Sequence, residues 1–150
     1  EEAMRMLLEI GSPANADAWV RDALTNKKKI MGFGHREYKN QDSRAMYLTP
    51  LAKELGERKG NTTWGKIADV LEKVMHEEKN LHPNVDFPAA YLYYLLGIPI
   101  ELYTPIFVMA RVAGWSAHAI EQLSNNRLIR PKAIYEGERS QSLVPIQQRA

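Results

Sequence analysis

The sequence contains no cysteine among its 150 residues. This absence excludes disulfides, zinc–thiolate sites and cysteine nucleophiles. No apolar run reaches the roughly 18 residues that a membrane-spanning helix needs, and no signal-peptide pattern opens the chain. From these absences we expect a soluble protein of the cytoplasm that has no membrane partner.

A large excess of charge of either sign is also missing. The chain has 20 Lys and Arg residues against 18 Asp and Glu residues, which gives a formal net charge of only +2 at pH 7. This balance argues against a nucleic-acid partner, because such proteins usually present a strongly basic surface. Local basic clusters can still hold a phosphorylated ligand. The length is sufficient for one ordinary domain with a real core.

The chain begins without an initiator methionine. Its first residues are Glu-Glu-Ala-Met, and residues 1–10 already have the pattern of a helix body with no capping residue in front. A natural start usually offers such a residue before the first helical turn. We therefore expect a piece of a longer chain.

Helical periodicity dominates the sequence, and no segment alternates as a half-buried strand would. Helices are predicted at about residues 2–10, 14–24, 43–56 with an interruption at Pro50, 62–80, 88–97 and 104–125. Asp42 is predicted to cap the third of them. The fourth of them has an apolar stripe of Trp64, Ile67, Ala68, Leu71, Val74 and Met75. From Arg130 onward, Pro and Gly residues predict an irregular tail. The fold class is therefore predicted to be all-α.

The first chemical signal is a glycine-rich loop at residues 32–39, with the sequence GFGHREYK, which is followed closely by Arg44. Glycines beside an aromatic residue allow the backbone to approach a ligand. His35, Arg36, Lys39 and Arg44 supply hydrogen-bond donors for anions. Taken alone, this string is more often an ordinary turn with solvated charges, because short glycine motifs match by accident.

The second signal is PNVDFP at residues 83–88. Asp86 is predicted to lie just before a helix, where the helix dipole and the free backbone N–H groups favour a carboxylate. Two interpretations stay open on these local grounds. Asp86 is either a helix-capping residue or a general base that the same helix end keeps ionised.

The third signal is an arginine in an apolar helix. Arg111 is the only charged residue in residues 106–117, so this stretch is predicted to be buried. A buried guanidinium needs a partner, because an unpaired interior charge is very costly. A carboxylate of the protein or a ligand could supply that partner. His118 is predicted to be a hydrogen-bonded histidine of the core or its rim.

Together these segments resemble the citrate synthase family, in order and at close to family spacing over essentially the whole chain. The glycine-rich loop with Arg44 resembles the family's substrate loop, and residues 83–86 resemble the segment with the catalytic aspartate. Residues 110–122 resemble the helix that carries an oxaloacetate-binding arginine. Residues 130–137 resemble the segment whose arginine enters the partner subunit's active site.

The resemblance implies a citrate synthase-like helical fold and a Claisen-type condensation of acetyl-CoA with oxaloacetate to citrate and CoA. In this interpretation His35 polarises the oxaloacetate carbonyl, and Asp86 removes a methyl proton from acetyl-CoA. Arg44 and Arg111 hold the substrate carboxylates, and Arg130 completes the clamp across the interface of a homodimer.

The resemblance also implies where CoA binds. Arg36 and Lys39 are expected to contact CoA, and the backbone around Phe33 is expected to face its adenine. CoA is a substrate and product here, so we expect no tightly bound cofactor and no metal site. Residues 1–92 would be most of the family's small domain, and residues 93–150 the returning C-terminal part of its large domain.

Three departures from the family pattern limit the interpretation. The family's enol-stabilising histidine belongs to a His-Gly-Gly-Ala-type motif upstream of Glu1, so the chain alone is expected to be inactive. Ser43 replaces a common proline, and Pro-Ala-Ala at residues 88–90 replaces a more frequent aromatic-Ser-Gly run. The last change borders Asp86, so a 2-methylcitrate synthase that uses propionyl-CoA stays open. A non-catalytic module that binds dicarboxylates is the alternative from another class.

Overall fold

The computed structural model describes residues 1–38 and 40–149. Its α-helices are α1 (Glu2–Ile10), α2 (Pro13–Thr25), α3 (Ser43–Arg58), α4 (Thr63–Lys79), α5 (Asp86–Leu95) and α6 (Tyr103–Ser124), with 3₁₀ turns at Ile100–Leu102 and Ile146–Gln148. Within the described residues no β-strand forms, and Phe33 and Pro83 make one isolated antiparallel bridge. The all-α prediction is confirmed.

The chain divides into two compact units. The first unit is Glu1–Gly114 and contains α1 to α5 with the first part of α6. The second unit is Trp115–Ala150 and contains the rest of α6 and the irregular tail. The boundary after residue 92 that the family resemblance implies is a different division, and it stays a prediction.

The core of the first unit is built where apolar residues recur at helical spacing. The predicted stripe of α4 is confirmed, since all six of its residues are buried. α4 packs against α2, and α5 packs against both α1 and α3. The largest side chains with no more than a trace of exposure are Tyr91, Phe87, Met4, Leu7, Ile10, Ile67 and Leu71. This core fixes the positions of the loops that connect α2 to α3 and α4 to α5.

The predicted breaks in α3 are wrong. The helix continues through Pro50 and Gly56 to Arg58. A proline removes one backbone donor, but the buried face of Ala45, Ala52 and Gly56 holds the helix together against its neighbours. Gly56 has a packing role, because a Cβ there would lie 2.8 Å from the carbonyl oxygen of Asn61.

Helix α5 begins at Asp86, two residues before the predicted start at Pro88. Asp86 is therefore in the first turn and does not precede the helix. The side-chain oxygen of Asn84 accepts a hydrogen bond from the Asp86 backbone N–H at 3.0 Å. Asn84 thus satisfies a free N–H of the helix start, which leaves the Asp86 carboxylate available.

The predicted burial of residues 106–117 is wrong. Val108 is 43% exposed, Met109 is 73% exposed and Val112 is 47% exposed. Ile106 and Phe107 are half-buried, and the Phe107 ring contacts that of Tyr93. Residues 108–113 are exposed. An apolar composition indicates that a helix needs a cover and not which element supplies it. His118 is also exposed, so its predicted place in the core or rim is wrong as well. Despite this composition, the described part of the chain has no helix that is long and apolar enough to cross a membrane.

Candidate functional site

The glycine-rich loop is joined by backbone hydrogen bonds to the segment that precedes α5. The Gly34 N–H donates to the His82 carbonyl at 2.9 Å, and the Asn84 N–H donates to the Gly32 carbonyl at 2.9 Å. Gly32 has φ of 85°, and a Cβ there would lie 2.8 Å from Cβ of Phe87. Only glycine combines this backbone conformation with so close a contact. The structure thus brings two of the predicted motifs side by side.

Side chains strengthen this junction. The rings of Phe33 and Phe87 lie 4.7 Å apart between centroids and are tilted by 52°. The Asn84 amide donates to the Gly34 carbonyl at 2.8 Å. Phe33 is half-buried, so its ring packs the loop against α5. The contact of its backbone with CoA stays a prediction.

His35 is exposed, and its ring is oriented by the backbone of its own loop. Nδ1 accepts hydrogen bonds from the backbone N–H groups of Glu37 at 3.1 Å and Tyr38 at 3.2 Å. A ring nitrogen that accepts carries no hydrogen, so the hydrogen of the neutral ring is on Nε2. His35 therefore presents an N–H donor to the space beyond the loop.

Arg44, in the first turn of α3, is held by Asp42. Its Nε donates to Oδ1 at 2.9 Å, and its Nη2 donates to Oδ2 at 2.8 Å. The side chain of Asp42 is 1% exposed, whereas that of Arg44 is 48% exposed. The Arg44 hydrogen bond holds the pKa of Asp42 at about 2, and in return Asp42 raises the pKa of Arg44. The carboxylate of the pair is thus buried, whereas the guanidinium is accessible to a ligand.

Two of the four predicted oxaloacetate ligands, His35 and Arg44, lie close together. Nη2 of Arg44 lies 3.4 Å from Nε2 of His35. Both atoms are donors in the tautomer that the loop imposes, so they do not satisfy each other. Two adjacent donors without an acceptor between them are suited to an oxygen-rich ligand, such as a carboxylate or a carbonyl.

A cavity of about 210 Å³ opens beside these groups. His35, Tyr38 and Asp42 line one side, and Leu81 and His82 line another. A larger neighbouring cavity of about 560 Å³ shares Asp42 and His82 and lies mainly between α3 and α4. The larger cavity contains none of the predicted catalytic residues, so size alone does not identify the site.

Asp86 is exposed and lines two other concave regions, of about 100 and 280 Å³, together with Glu1 and Thr104. Its charge is close enough to Arg44 to contribute to the raised pKa of that guanidinium. The structure therefore keeps Asp86 near Arg44, although it faces a different concave region from the one beside His35.

The other predicted anion ligands are surface residues or lie outside the described residues. Arg111 is exposed on α6, and no carboxylate of the described residues pairs with it. Arg130 is exposed in the irregular tail, within the second unit. Arg36 is exposed in the glycine-rich loop. Lys39, a predicted CoA contact, lies outside the described residues.

Two residues of this region were missed by the sequence reasoning. Asp42 was expected only to cap α3, which it does by accepting from the Arg44 backbone N–H at 3.0 Å. The spacing of Asp42 and Arg44 was a usable signal for a pair. The centroids of the Tyr38 and His35 rings lie 4.6 Å apart. The Arg44 guanidinium carbon lies 5.4 Å from the centroid of the same Tyr38 ring. No sequence pattern indicated this stacking, because it depends on how the loop turns back.

Among residues 1–38 and 40–149, no three His, Cys, Asp or Glu side chains are grouped so that they could hold a metal ion. The donors of this region are cationic or N–H groups, and these recognise anions rather than cations.

The chain is similar to known proteins along most of its length. The family model described as "Citrate synthase, C-terminal domain" matches residues 1–132. Citrate synthase 2 of Bacillus subtilis is 48% identical over 150 residues, which is 100% of this chain and 40% of that protein. 2-Methylcitrate synthase 1 of Corynebacterium glutamicum is 44% identical over 149 residues, which is 99% of this chain and 39% of that protein.

A solved structure shares the fold. The citrate synthase of Thermoplasma acidophilum, solved as a ternary complex with carboxymethyl coenzyme A and oxaloacetate, aligns with a TM-score of 0.81 and 37% identity. The alignment covers 99% of this chain and 41% of that structure. The chain thus spans about 40% of the length of the relatives that it matches. The helical architecture and the matched residues together show that this chain belongs to the citrate synthase family.

Proposed function

We propose that these residues, as part of a full-length synthase chain, help to condense acetyl-CoA with oxaloacetate. The observation that carries the proposal is the pair of donors on His35 and Arg44, which lie 3.4 Å apart with no acceptor between them. A 2-oxo acid has a carbonyl oxygen and a carboxylate on neighbouring carbon atoms. It therefore offers two acceptors to such a pair.

In this proposal Arg44 binds a carboxylate of oxaloacetate, and His35 donates to its carbonyl oxygen. The hydrogen bond from Nε2 makes the carbonyl carbon more electrophilic, and it strengthens as negative charge develops on the oxygen. The guanidinium of Arg44 is charged at neutral pH, and its hydrogen bonds to Asp42 raise its pKa further. The charge screens the repulsion between the dianionic acceptor and the incoming carbanion.

Asp86 is the proposed base. It removes a methyl proton from acetyl-CoA, and the enolate carbon then bonds to the oxaloacetate carbonyl carbon, whose oxygen takes up a proton. Hydrolysis of the thioester releases citrate and CoA. The methyl group is a very weak acid, so this step needs a hydrogen bond to the enolate oxygen. None of the residues assigned here supplies that bond.

The remaining roles come from the family resemblance. Arg111 completes the carboxylate clamp, and Arg130 reaches the site of the partner in a homodimer. Arg36 and Lys39 contact CoA, and the backbone of Phe33 faces the adenine. CoA acts as substrate and product, so no resident cofactor is part of the proposal. The reaction is placed in the cytoplasm, as the sequence analysis expects.

A second candidate is the same condensation with propionyl-CoA. It is favoured by the similarity to a 2-methylcitrate synthase, which nearly equals the similarity to a citrate synthase. The Pro-Ala-Ala run beside Asp86 borders the place where the acyl chain would lie. Ala89 and Ala90 line the smaller concave region next to Asp86.

The proposal is tested with a purified full-length synthase chain that contains these 150 residues. Release of CoA is followed with oxaloacetate and either acetyl-CoA or propionyl-CoA, and the products are identified by mass spectrometry. A higher kcat/KM with acetyl-CoA supports the citrate synthase, and a higher kcat/KM with propionyl-CoA supports the second candidate. A protein that binds oxaloacetate and releases no CoA from either thioester would be a binding module, and the proposal would be wrong.

A matched pair of variants tests the donor pair itself. Arg44→Leu removes the guanidinium at the start of α3, and Arg58→Leu removes an exposed guanidinium at the end of the same helix. We expect Arg44→Leu to weaken oxaloacetate binding by roughly a hundredfold, the scale of a charge-assisted hydrogen bond. Arg58→Leu should leave that affinity unchanged.

A further inference from the structure

Asp42 is the only buried charged residue among those that the structure describes. It accepts four hydrogen bonds. Oδ1 accepts from the backbone N–H and Nε of Arg44, and Oδ2 accepts from Nη2 of Arg44 and from the backbone N–H of Val85. Each oxygen thus takes two donors, and no further donor is needed to satisfy the carboxylate.

These four bonds join two segments that carry proposed site residues, the start of α3 and the segment before α5, and Arg44 also lies beside the loop of His35. Val85 is the residue that precedes Asp86, and its N–H lies 3.1 Å from Oδ2 of Asp42. Arg44 follows Asp42 in α3 and extends to His35. One carboxylate is therefore in contact with both the segment of the base and the arginine of the donor pair, although Asp42 and Val85 are 43 residues apart in the sequence.

The geometry of the Asp42–Arg44 pair also decides which donors stay available. A side-on pair uses the Nε hydrogen and one Nη2 hydrogen of a guanidinium. The second Nη2 hydrogen and both Nη1 hydrogens remain for a ligand. Because Asp42 is buried and fully bonded, it fixes the plane of the guanidinium, and the side of Arg44 that faces His35 is held without a substrate.

We propose that Asp42 is a positioning residue for the condensation. It does not touch the substrate. It orients the Arg44 guanidinium toward His35 through its two side-chain hydrogen bonds, and it fixes the start of α5, and so Asp86, through Val85. This inference rests on the proposed function for its catalytic consequence, whereas the orientation of Arg44 can be tested independently of any activity.

The competing explanation is that Asp42 only caps α3. Asp42→Asn separates the two, because asparagine caps a helix about as well as aspartate but has one carbonyl oxygen in place of two charged ones. Asp42→Glu keeps the carboxylate and displaces it by one methylene group. A control is offered by Asp17 on the exposed surface of α2. Its two oxygens accept from Nε of Arg21 at 3.1 and 3.2 Å, so it is also an aspartate paired with an arginine, but without burial and without the second guanidinium donor.

The first test is made by NMR on a full-length chain that contains these 150 residues, with ¹⁵N observation of the Arg44 Nε–H. In the wild type we expect slow solvent exchange of this hydrogen, and in Asp42→Asn we expect exchange faster by about tenfold or more, with a shift of the His35 ring resonances. Asp17→Asn should leave both signals unchanged. If Asp42→Asn lowers the Tm while the Arg44 and His35 signals keep their wild-type behaviour, Asp42 is only a cap and the proposal is overturned.

The second test is kinetic and uses a full-length chain that contains these residues. Asp42→Asn should raise KM for oxaloacetate about tenfold or more, as expected when a buried charge-assisted bond is lost. We expect a change of less than about threefold in KM for the acyl-CoA, and Asp42→Glu should recover part of the loss. Equal kinetics of Asp42→Asn and wild type would overturn the positioning role.

The two failures can be told apart. If the wild-type chain has no synthase activity but Asp42→Asn frees the Arg44 guanidinium in the NMR measurement, the proposed function is wrong and the orienting role of Asp42 stands. If the wild type is active and the guanidinium signal does not respond, the positioning role is wrong and the proposed function stands.

Discussion

Two arginines that are proposed to bind the same substrate have very different surroundings. Arg44 is paired side-on with a carboxylate that is 1% exposed. Arg111 is exposed on α6 and has no carboxylate partner in the described part of the chain. The difference teaches that contacts within this chain orient the guanidinium of Arg44 but not that of Arg111. The orientation of Arg111 depends on contacts that the described residues do not make.

The apolar side chains show the same contrast. Phe87 and Tyr91 of α5 are fully buried by the packing of α1, α3 and α5. Met109 and Val112, which flank Arg111, are 73% and 47% exposed. A helix with exposed apolar residues on this scale gains little from burial. We therefore expect the residues around Asp42 to keep their geometry under conditions in which those around Arg111 vary.

The largest expected effect sharpens this comparison directly. The 150-residue chain alone should form no measurable citrate from acetyl-CoA and oxaloacetate, because none of the residues assigned here supplies the hydrogen bond that the enolate oxygen needs. The measurement is the release of CoA, with a full-length chain as the positive control. Citrate formed by the purified chain, free of any longer protein, would show that the local donor pair is sufficient.

The second effect concerns the base. In a full-length chain, Asp86→Asn should reduce kcat by roughly a hundredfold or more, the usual scale for a general base. The variant should fold like the wild type, because the free N–H at the start of α5 donates to the side chain of Asn84 and does not need the Asp86 carboxylate. Oxaloacetate affinity should therefore stay near that of the wild type. Exchange of the acetyl-CoA methyl protons with solvent, measured by NMR, should fall in parallel. Normal turnover by a destabilised Asp86→Asn protein would favour a capping role instead.

The third prediction tests whether Arg130 acts across a dimer interface. An Arg130→Leu full-length chain and an Arg111→Leu chain should each be nearly inactive. After subunit exchange, an equal mixture should recover about a quarter of the wild-type activity, because half the dimers would contain one undamaged site of two. A mixture that never exceeds its parents, despite proven exchange, would contradict the shared site.

The smallest effect is on stability, and it compares a buried pair with an exposed one. Asp42→Asn should lower the free energy of unfolding by about 1–3 kcal/mol, since a buried hydrogen-bonded charge is lost. The matched Asp17→Asn should change it by less than about 0.5 kcal/mol, the usual contribution of a surface pair. Chemical denaturation of the 150-residue chain measures both. Equal values for the two variants would remove the distinction between the pairs.

The Asp42–Arg44 pair also makes the stability of the fold depend on pH in acid. The pKa of Asp42 is about 2 when folded, against an ordinary value of 3.8. Because the folded value is the lower one, the stabilisation is fully present above about pH 4 and is lost as the pH falls toward 2. It amounts to roughly 2 kcal/mol at most. Asp42→Asn should therefore show a weaker loss of stability between pH 4 and pH 2 than the wild type.

Local sequence signals predicted much of the fold. The stripe of α4, the boundaries of α1 and the irregular tail follow from apolar spacing, glycine and proline, which act over one or two turns. The interruption at Pro50 was wrong because the cost of one missing N–H is local, whereas the packing of α3 on α5 is not. The burial of α6 was wrong because an apolar pattern specifies a need for cover and not the element that supplies it.

The site divides in the same way. Residues such as His35, Arg44 and Asp86 could be selected from the sequence, since their types and their spacing carry the family pattern. The stacking of Tyr38 and the central place of Asp42 could not, because both depend on a loop that folds back against a distant segment. The assigned roles of the selected residues stay predictions until the experiments above are done.

By itself, the sequence determined the helical class, the family and the identity of the donors around the glycine-rich loop, because these depend on residue types and short spacings. Only the tertiary structure decided which ring nitrogen of His35 carries the hydrogen that a ligand can accept. It also decided that the Asp42 carboxylate binds Arg44 and that the Val85 N–H donates to the same carboxylate. The physical reason is that a hydrogen bond requires its two atoms to lie within about 3 Å of each other. For residues 43 positions apart, such as Asp42 and Val85, only the packing of helices from distant parts of the chain can meet that requirement.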